Sequence, residues 1–359
     1  ERLAVIGCQR PGFCVLGARE VKLAQYCGIV SLGSRVLEIL PKTQRGDSPH
    51  TCRGVLLRLL KAAGRSPQFQ HLPAGQEHCS LPLLEVFIHA YFDAVAVLSR
   101  GGLLKQYCEW DDDLNVVRGR IALDRQLVAN ANRPDRIACA FDELTIDHSW
   151  HRTLKRAIRI TRPWIHSIGL NRRWIELMAL FDEVDDTRLA AAETDRLVFD
   201  RKAERYRTAI EWARWIITLL APSLRAGKNE APSLLFDMNR LFESSIAAVL
   251  RRRSAHAGLT IDTQDTSRKF ATVHGGGKSG QIFTLRPDLT LRDGDRLLAI
   301  GDTKWKLIST DDAGRLRPGN DDLLQMHAYA AAYRCSDLVL IYPWSDELRA
   351  SVQTHLELP

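Results

Sequence analysis

The sequence predicts a multi-domain α+β chain: a β-rich N-terminal region at 1–50, a mainly helical middle domain at 51–225, and a C-terminal α/β domain at 226–359 with a central mixed sheet. Three observations predict it. Short apolar runs cut by glycine fill the first region, as hairpins or a small barrel require. Long stretches with apolar residues at steps of three and four follow, as amphipathic helices require. Helix-like and strand-like runs then alternate, the order of an α/β core.

In the N-terminal region the apolar runs 27–32 and 36–40 are separated by Gly33 and Ser34. The polar stretch 43–51, with Gly46 and Pro49, reads as a loop. From Val55 the pattern turns helical, with Leu56, Leu57, Leu59 and Leu60 at helical spacing. Residues 67–80 read as a polar break. A long helix is predicted over 81–104, where Leu84, Phe87, Ile88, Tyr91, Phe92, Val95 and Leu98 recur and Gly101-Gly102 supplies a stop. Residues 107–150 are mixed, and the acids at 111–113 read as a turn. Leu154, Ile158 and Trp164 predict one further helix; Ile210, Trp212, Ile216, Ile217 and Leu220 predict another. Pro222 and the polar segment 225–230 read as the linker to the last domain. There a helix is predicted over 234–250, strands at 259–262, 281–285, 289–292 and 297–306, a helix at 322–333 and a strand at 338–342.

A length of 359 residues exceeds one core and suits two or three domains of roughly 100–200 residues each. The composition, 45% hydrophobic and 26% charged, is that of a folded chain. A net charge of +7 favours a polyanionic partner. The eight cysteines form no C-x-x-C pair and read as reduced thiols, mostly buried. No signal-peptide pattern opens the chain, and the initiator Met is expected to lie outside this numbering, which starts at Glu1. The longest apolar stretch, 212–222, is interrupted by Arg214 and is too short to cross a bilayer. These features read as a cytoplasmic protein without a membrane partner.

The chemistry is concentrated in 286–306. Pro287-Asp288 opens one strand, Asp293-Gly294 is a two-residue turn signal, and the apolar run 297–301 leads into Asp302-Thr303-Lys304. Strand alternation puts Asp302 and Lys304 on one face and Thr303 and Trp305 on the other. Closing the hairpin brings Asp288 to the same end. Paired carboxylates repel unless a divalent cation lies between them, and hard oxygen ligands suit Mg²⁺ or Mn²⁺. Such an ion lowers the pKa of bound water and neutralises charge building on a phosphate. Lys304 is placed to orient the water or stabilise that charge. Glu243, among Leu241, Phe242 and Ile246, is a candidate third carboxylate. Gln325 and Tyr329 share a helical face that meets the site or a DNA backbone. Each fragment alone occurs by chance; the combination is the signature of a PD-(D/E)xK endonuclease.

At these residues the sequence resembles McrC, the nuclease subunit of McrBC modification-dependent restriction systems. The resemblance is carried by 302–306, Pro287-Asp288, 238–243 and 325–330. It extends to 28–42 (GIVSLGSRVLEILPK), 102–107, 118–121 and 141–154. It implies an N-terminal β-rich region that docks on McrB, a hexameric AAA+ GTPase, and stimulates GTP hydrolysis. It also implies Mg²⁺-dependent cleavage of methylcytosine-containing double-stranded DNA. By the same resemblance Asp288 and Asp302 match metal ligands and Lys304 the catalytic lysine, while Glu243 and Gln325 match less distinctive positions.

Other features are less specific. The stretch 269–281, with His274-Gly275-Gly276-Gly277-Lys278, is not a Walker A motif because Thr272 stands where glycine is needed. It reads as a flexible loop with Lys278 a candidate phosphate contact. Arg251 and Arg252, after the Glu243 helix, are candidate DNA contacts, as is Tyr329. Arg152, Lys155, Arg156, Arg159 and Arg162 form a basic helical stripe that reads first as a solvated face. His148 and His151 lack a third ligand and read as structural. Two alternatives stay open: a scaffold that activates the motor without cutting, and a stand-alone DNA-repair nuclease.

Overall fold

In the computed structural model the chain divides by its packing into two bodies, residues 1–86 with 233–359, and residues 87–232. The structure describes residues 2–344 except 18, 33–34, 45, 65–68, 70–71, 73–75, 186–196, 198, 200–202, 222–232, 276–277 and 311–315. Packing therefore does not divide the chain at residue 50, and the linker read at 225–230 lies outside the described residues.

The first body opens with a helix, α1 (Arg2–Gln9), where the sequence predicts only strands. Its apolar run is too short for periodicity to separate helix from strand, and its Ile6 is buried. Strands β1 (Cys14–Leu16) and β2 (Val21–Leu23) form a hairpin. Strands β3 (Tyr26–Ser31) and β4 (Val36–Ile39) pair antiparallel and are the two predicted runs; Gly33 and Ser34 between them lie outside the described residues. Helix α2 (Pro49–Ala63) starts inside the predicted loop. The Ser48 hydroxyl accepts the Thr51 N–H at 3.2 Å, Pro49 occupies the first turn, and Gly64 ends the helix at φ 55°. A short helix, α3 (Gln76–Cys79), leads to α4 (Leu83–Arg100), near whose start the division falls. Glu38 joins these pieces. Its carboxylate accepts Arg53 at 2.6 and 2.9 Å and the Leu83 N–H at 3.1 Å.

In the second body, β5 (Gln106–Leu114), β6 (Arg120–Ile121) and β7 (Ile137–Thr145) make an antiparallel sheet in the order β5-β7-β6, with α5 (Leu123–Ala129) between β6 and β7 in the chain. The acids at 111–113 lie in β5, not in a turn. As an edge strand β5 tolerates charge, and Asp113 accepts Arg125 at 2.7 Å and Asn130 at 3.0 Å. Helices α6 (Ser149–Thr161), α7 (Ile168–Leu180) and α8 (Arg207–Leu220) complete it. Its core includes Phe87 against Trp212 at 5.4 Å, and Tyr91, whose hydroxyl donates to Leu154 O at 2.7 Å.

The basic stripe on α6 is partly internal. Arg152 pairs with Asp147 at 2.7 Å, and buried Lys155 donates to Val184 O at 2.7 Å and Asp182 O at 3.3 Å. His148 and His151 both bond groups of the protein. His148 bonds Leu104 O at 2.9 Å; His151 lies between Ile146 O at 2.6 Å and the Tyr206 hydroxyl at 3.0 Å.

The chain returns to the first body through β8 (Ser233–Asp237), which pairs antiparallel with β3 in the order β4-β3-β8. The predicted helix over 234–250 thus begins as a strand. Asp237 then caps α9 (Met238–Ser254), accepting the N–H groups of Asn239 and Arg240 at 2.9 and 3.3 Å. Helix α9 packs against α2. Gly28 of β3, at φ 135°, faces Leu235, and a Cβ there would lie 2.0 Å from Leu234 O.

Beyond α9 comes β9 (Thr260–Thr263). The stretch read as a loop is a hairpin of β10 (Lys269–Gly275) and β11 (Lys278–Thr284). Strands β12 (Leu289–Asp293) and β13 (Arg296–Thr303) flank the predicted Asp293-Gly294 turn. After the small β14 (Ser309–Thr310) and β15 (Leu316–Arg317) pair, α10 (Asn320–Tyr333) crosses over to β16 (Leu338–Ile341). The sheet order is β16-β13-β12-β9, parallel between β13 and β16 and antiparallel elsewhere, which is the expected mixed sheet. Ile300 of β13 packs with Met326, Tyr329 and Tyr333 of α10. Among the described residues no helix is long and apolar enough to cross a membrane, and the eight cysteines are free thiols, four of them buried.

Two outcomes follow from these contacts. Gly28→Ala should destabilise the first body by about 3 kcal/mol or more, since it adds strain at a left-handed φ to a backbone clash; equilibrium urea unfolding measures it. His151 is held neutral, its pKa lowered to about 3 by burial first and then by His148. Because the folded value is below the unfolded one, its contribution is complete above about pH 6.5 and shrinks as pH falls towards 3. At pH 5 the loss should be roughly 2 kcal/mol, and His151→Gln should flatten that part of the stability–pH curve.

Candidate active site

The four-stranded sheet delivers its charged residues at one end. Asp302 is the penultimate residue of β13, and Asp288 immediately precedes the antiparallel β12. Asp288 is fixed by Thr303, whose N–H and hydroxyl donate to one carboxylate oxygen at 2.8 and 2.7 Å. Lys304 lies just past β13, its N–H donating to Ile341 O at 2.9 Å, so that pairing with β16 outlasts the strand. Its Nζ stands 2.5 Å from Asp302 Oδ2, on the side that alternation predicts. Trp305 turns the other way and meets Phe242 of α9 edge-on at 5.4 Å.

Helix α10 supplies a polar chain. Gln325 Oε1 accepts Lys304 Nζ at 2.8 Å, and its amide nitrogen reaches Asp302 Oδ1 at 3.3 Å and the Tyr329 hydroxyl at 2.7 Å. Tyr329 is only 2% exposed, and burial raises its pKa to about 12. It therefore supports Gln325 from within and presents no outward surface to a nucleic acid.

Glu243 of α9 joins through a residue that the sequence reading missed. Gln264, just after β9, places its amide nitrogen 2.6 Å from Glu243 Oε1 and 3.3 Å from Asp288 Oδ1. A second missed group lies alongside. Lys306 pairs with the buried Asp322 at 2.6 Å, and the Tyr342 hydroxyl donates to the same oxygen at 2.8 Å. The remaining candidates are placed differently. Arg251 spans from α9 to β9, donating to Ile261 O and Thr263 Oγ1 at 3.0 Å each, so it acts as a brace. Arg252 is exposed on the last turns of α9. The Lys278 side chain lies outside the described residues.

Asp302 carries the electrostatic tension. It is 1% exposed, and burial, opposed by the Lys304 contact and reinforced by Asp288 and Asp322, raises its pKa to about 6. Its Oδ2 touches Lys304 but has no well-aligned hydrogen bond. Among the described residues no three His, Cys, Asp or Glu side chains are gathered to enclose a metal. The pair Asp288 and Asp302 nevertheless fits a Mg²⁺-type ion, which keeps several waters and takes one or two carboxylates.

The class so defined is a mixed α/β protein with an acidic–lysine centre at one end of a mixed sheet. The family model described as the McrBC 5-methylcytosine restriction system component matches residues 21–343, and the chain belongs to that family. Among solved structures, a chain of the refined half-complex from the tetradecameric assembly of Thermococcus gammatolerans McrB AAA+ hexamers with bound McrC is 21% identical. The match has a TM-score of 0.65 and covers 94% of this chain and 74% of that one, a likeness of fold. A chain of the cryo-EM structure of the Thermococcus gammatolerans McrBC complex is 22% identical over 67% of this chain and 70% of that one, with a TM-score of 0.48. No curated protein matches.

The raised Asp302 pKa has a sign. With its folded value above its unfolded one, the metal-free protein loses stability as pH rises from about 4 to about 6. Asp302→Asn should therefore unfold at a higher temperature than wild type in EDTA at pH 8, by an amount equivalent to roughly 3 kcal/mol. A lower melting temperature would show that the ionised carboxylate's bonds outweigh its burial.

Proposed function

We propose that this chain is the McrC-type nuclease subunit of its restriction system, a PD-(D/E)xK-type endonuclease that cuts methylcytosine-containing double-stranded DNA. The observation that carries the reading is the meeting of Asp288, Asp302 and Lys304 at the ends of adjacent strands, with Lys304 ion-paired to Asp302 at 2.5 Å. Bound Mg²⁺, or Mn²⁺, would activate water and neutralise charge on the scissile phosphate. Asp288 and Asp302 would hold that ion. Lys304, already steered by Gln325, would turn from Asp302 to the phosphate or to the attacking water once the carboxylate is otherwise neutralised. Tyr329 keeps Gln325 in place through this exchange.

The partner is proposed to be a McrB-like hexameric AAA+ GTPase. This rests on the family membership and on a similar fold in an assembly named for McrB hexamers with bound McrC. On this reading residues 1–50 dock on the motor and stimulate GTP hydrolysis, residues 226–359 cut the DNA, and the site serves cytoplasmic defence against foreign DNA. The net charge of +7 suits the DNA partner.

Asp302→Ala should abolish Mg²⁺-dependent cleavage while leaving stimulation of the partner's GTPase intact, with both assayed in the same reconstituted complex. Cleavage at the wild-type rate would refute the site. Surface substitutions in residues 1–50 should weaken stimulation and assembly first; they are preferable to truncation, which would remove β3 from beside β8.

A further inference from the structure

Gln264 is the one glutamine among the described residues whose backbone sits in the left-handed region, at φ 58°. Glutamine has no local reason to be there. Asn and Asp populate this region more readily, and a longer side chain held in it is a strained position. The other described non-glycine residue with positive φ, Arg334, caps α10, where that conformation is ordinary. Gln264 caps no helix. Its N–H donates to Asp288 O at 3.2 Å, continuing the β9–β12 pairing through the irregular residue.

The strained backbone has a visible result. The side-chain amide lies between two carboxylates, 2.6 Å from Glu243 Oε1 and 3.3 Å from Asp288 Oδ1. Only the nitrogen end is compatible with that place, because an amide oxygen would face two anionic acceptors. An NH₂ group has two donors and can serve both oxygens at once. Glu243 and Asp288 come from a helix and from a strand entrance that are far apart in the chain, and the amide of Gln264 bonds both. We propose that Gln264 is a positioning residue that stands in for the divalent cation: its amide holds Glu243 and Asp288 together in the metal-free site, and cation binding must displace it.

This rests on the proposed metal-dependent site and deepens it, since it brings Glu243 into the same electrostatic unit as Asp288. It also gives the metal-free protein a defined arrangement. Without the amide the two carboxylates would lose the donor they share, and the ion would relieve more repulsion on entering. The amide therefore lowers affinity for the ion while keeping its ligands assembled.

The test is thermal unfolding of the full chain in EDTA and across a titration with MgCl₂, repeated with MnCl₂, for wild type, Gln264→Leu and Gln264→Gly. The glycine variant removes the amide but accepts the positive φ, so it folds even if leucine does not. The expected result is a melting temperature in EDTA that is lower for Gln264→Leu, a larger metal-dependent rise in both variants, and an apparent metal affinity about three- to tenfold tighter than wild type. A merely structural bond would lower the melting temperature equally with and without metal. Unchanged or weaker metal affinity in both variants overturns the stand-in role. If wild type itself shows no metal-dependent rise, the metal-site reading fails, which is a separate outcome.

Discussion

A carboxylate that is 1% exposed, on a strand of a small mixed sheet, sets the terms for everything around it. Burying Asp302 opposes its charge, and the surroundings only partly compensate, so its pKa is raised. Lys304 is drawn against it. Gln325 is drawn to Lys304, and Tyr329 is buried to hold Gln325. Asp288 shares that end of the sheet, gripped by the N–H and hydroxyl of Thr303. Natural cores avoid such arrangements unless chemistry needs them, because an apolar residue at the same place would be more stable. The tension also orders the site. Each polar group is held by the next, so a cation that takes over the carboxylate would release a lysine already in position.

The centre of this site was legible in the sequence because its determinants are local. The Asp293-Gly294 turn fixes the pairing of β12 with β13, and alternation along one strand places Asp302 with Lys304. A spacing of four on α10 likewise puts Gln325 beside Tyr329. Gln264, Thr303 and Asp322 were not legible, for different reasons. Gln264 and Asp322 act across the chain, through contacts that no spacing announces. Thr303 acts partly through its backbone N–H, which leaves no mark on residue type.

The fold shows the same division. Runs bounded by turn signals became β3, β4, β12 and β13. Leu234-Leu235-Phe236 looked continuous with the helix behind it, yet it is a strand, because its partner lies far back in the sequence. The glycine-rich composition of 269–281 points to a loop, yet the stretch is a hairpin, and two glycines between alternating runs are a hairpin signal. The acids of β5 contradict strand propensity and are tolerated because β5 is an edge whose outward groups find basic partners.

The pairing of β3 with β8 has a consequence for how the chain is made. Cys27 of β3 and Met238 at the start of α9 touch across 211 positions of sequence. At ribosomal rates of roughly 5–20 residues per second, β3 would leave the exit tunnel with one long edge bare and wait on the order of ten seconds for its neighbour. Through that interval the whole of the second body must be synthesised, and the first body cannot close. Gly28, which admits Leu234 to the sheet without a side chain in the way, is also the residue that keeps this late arrival simple. The protein's slow step in folding is therefore expected to be the docking of a latecomer strand, and its most aggregation-prone moment falls before that strand exists.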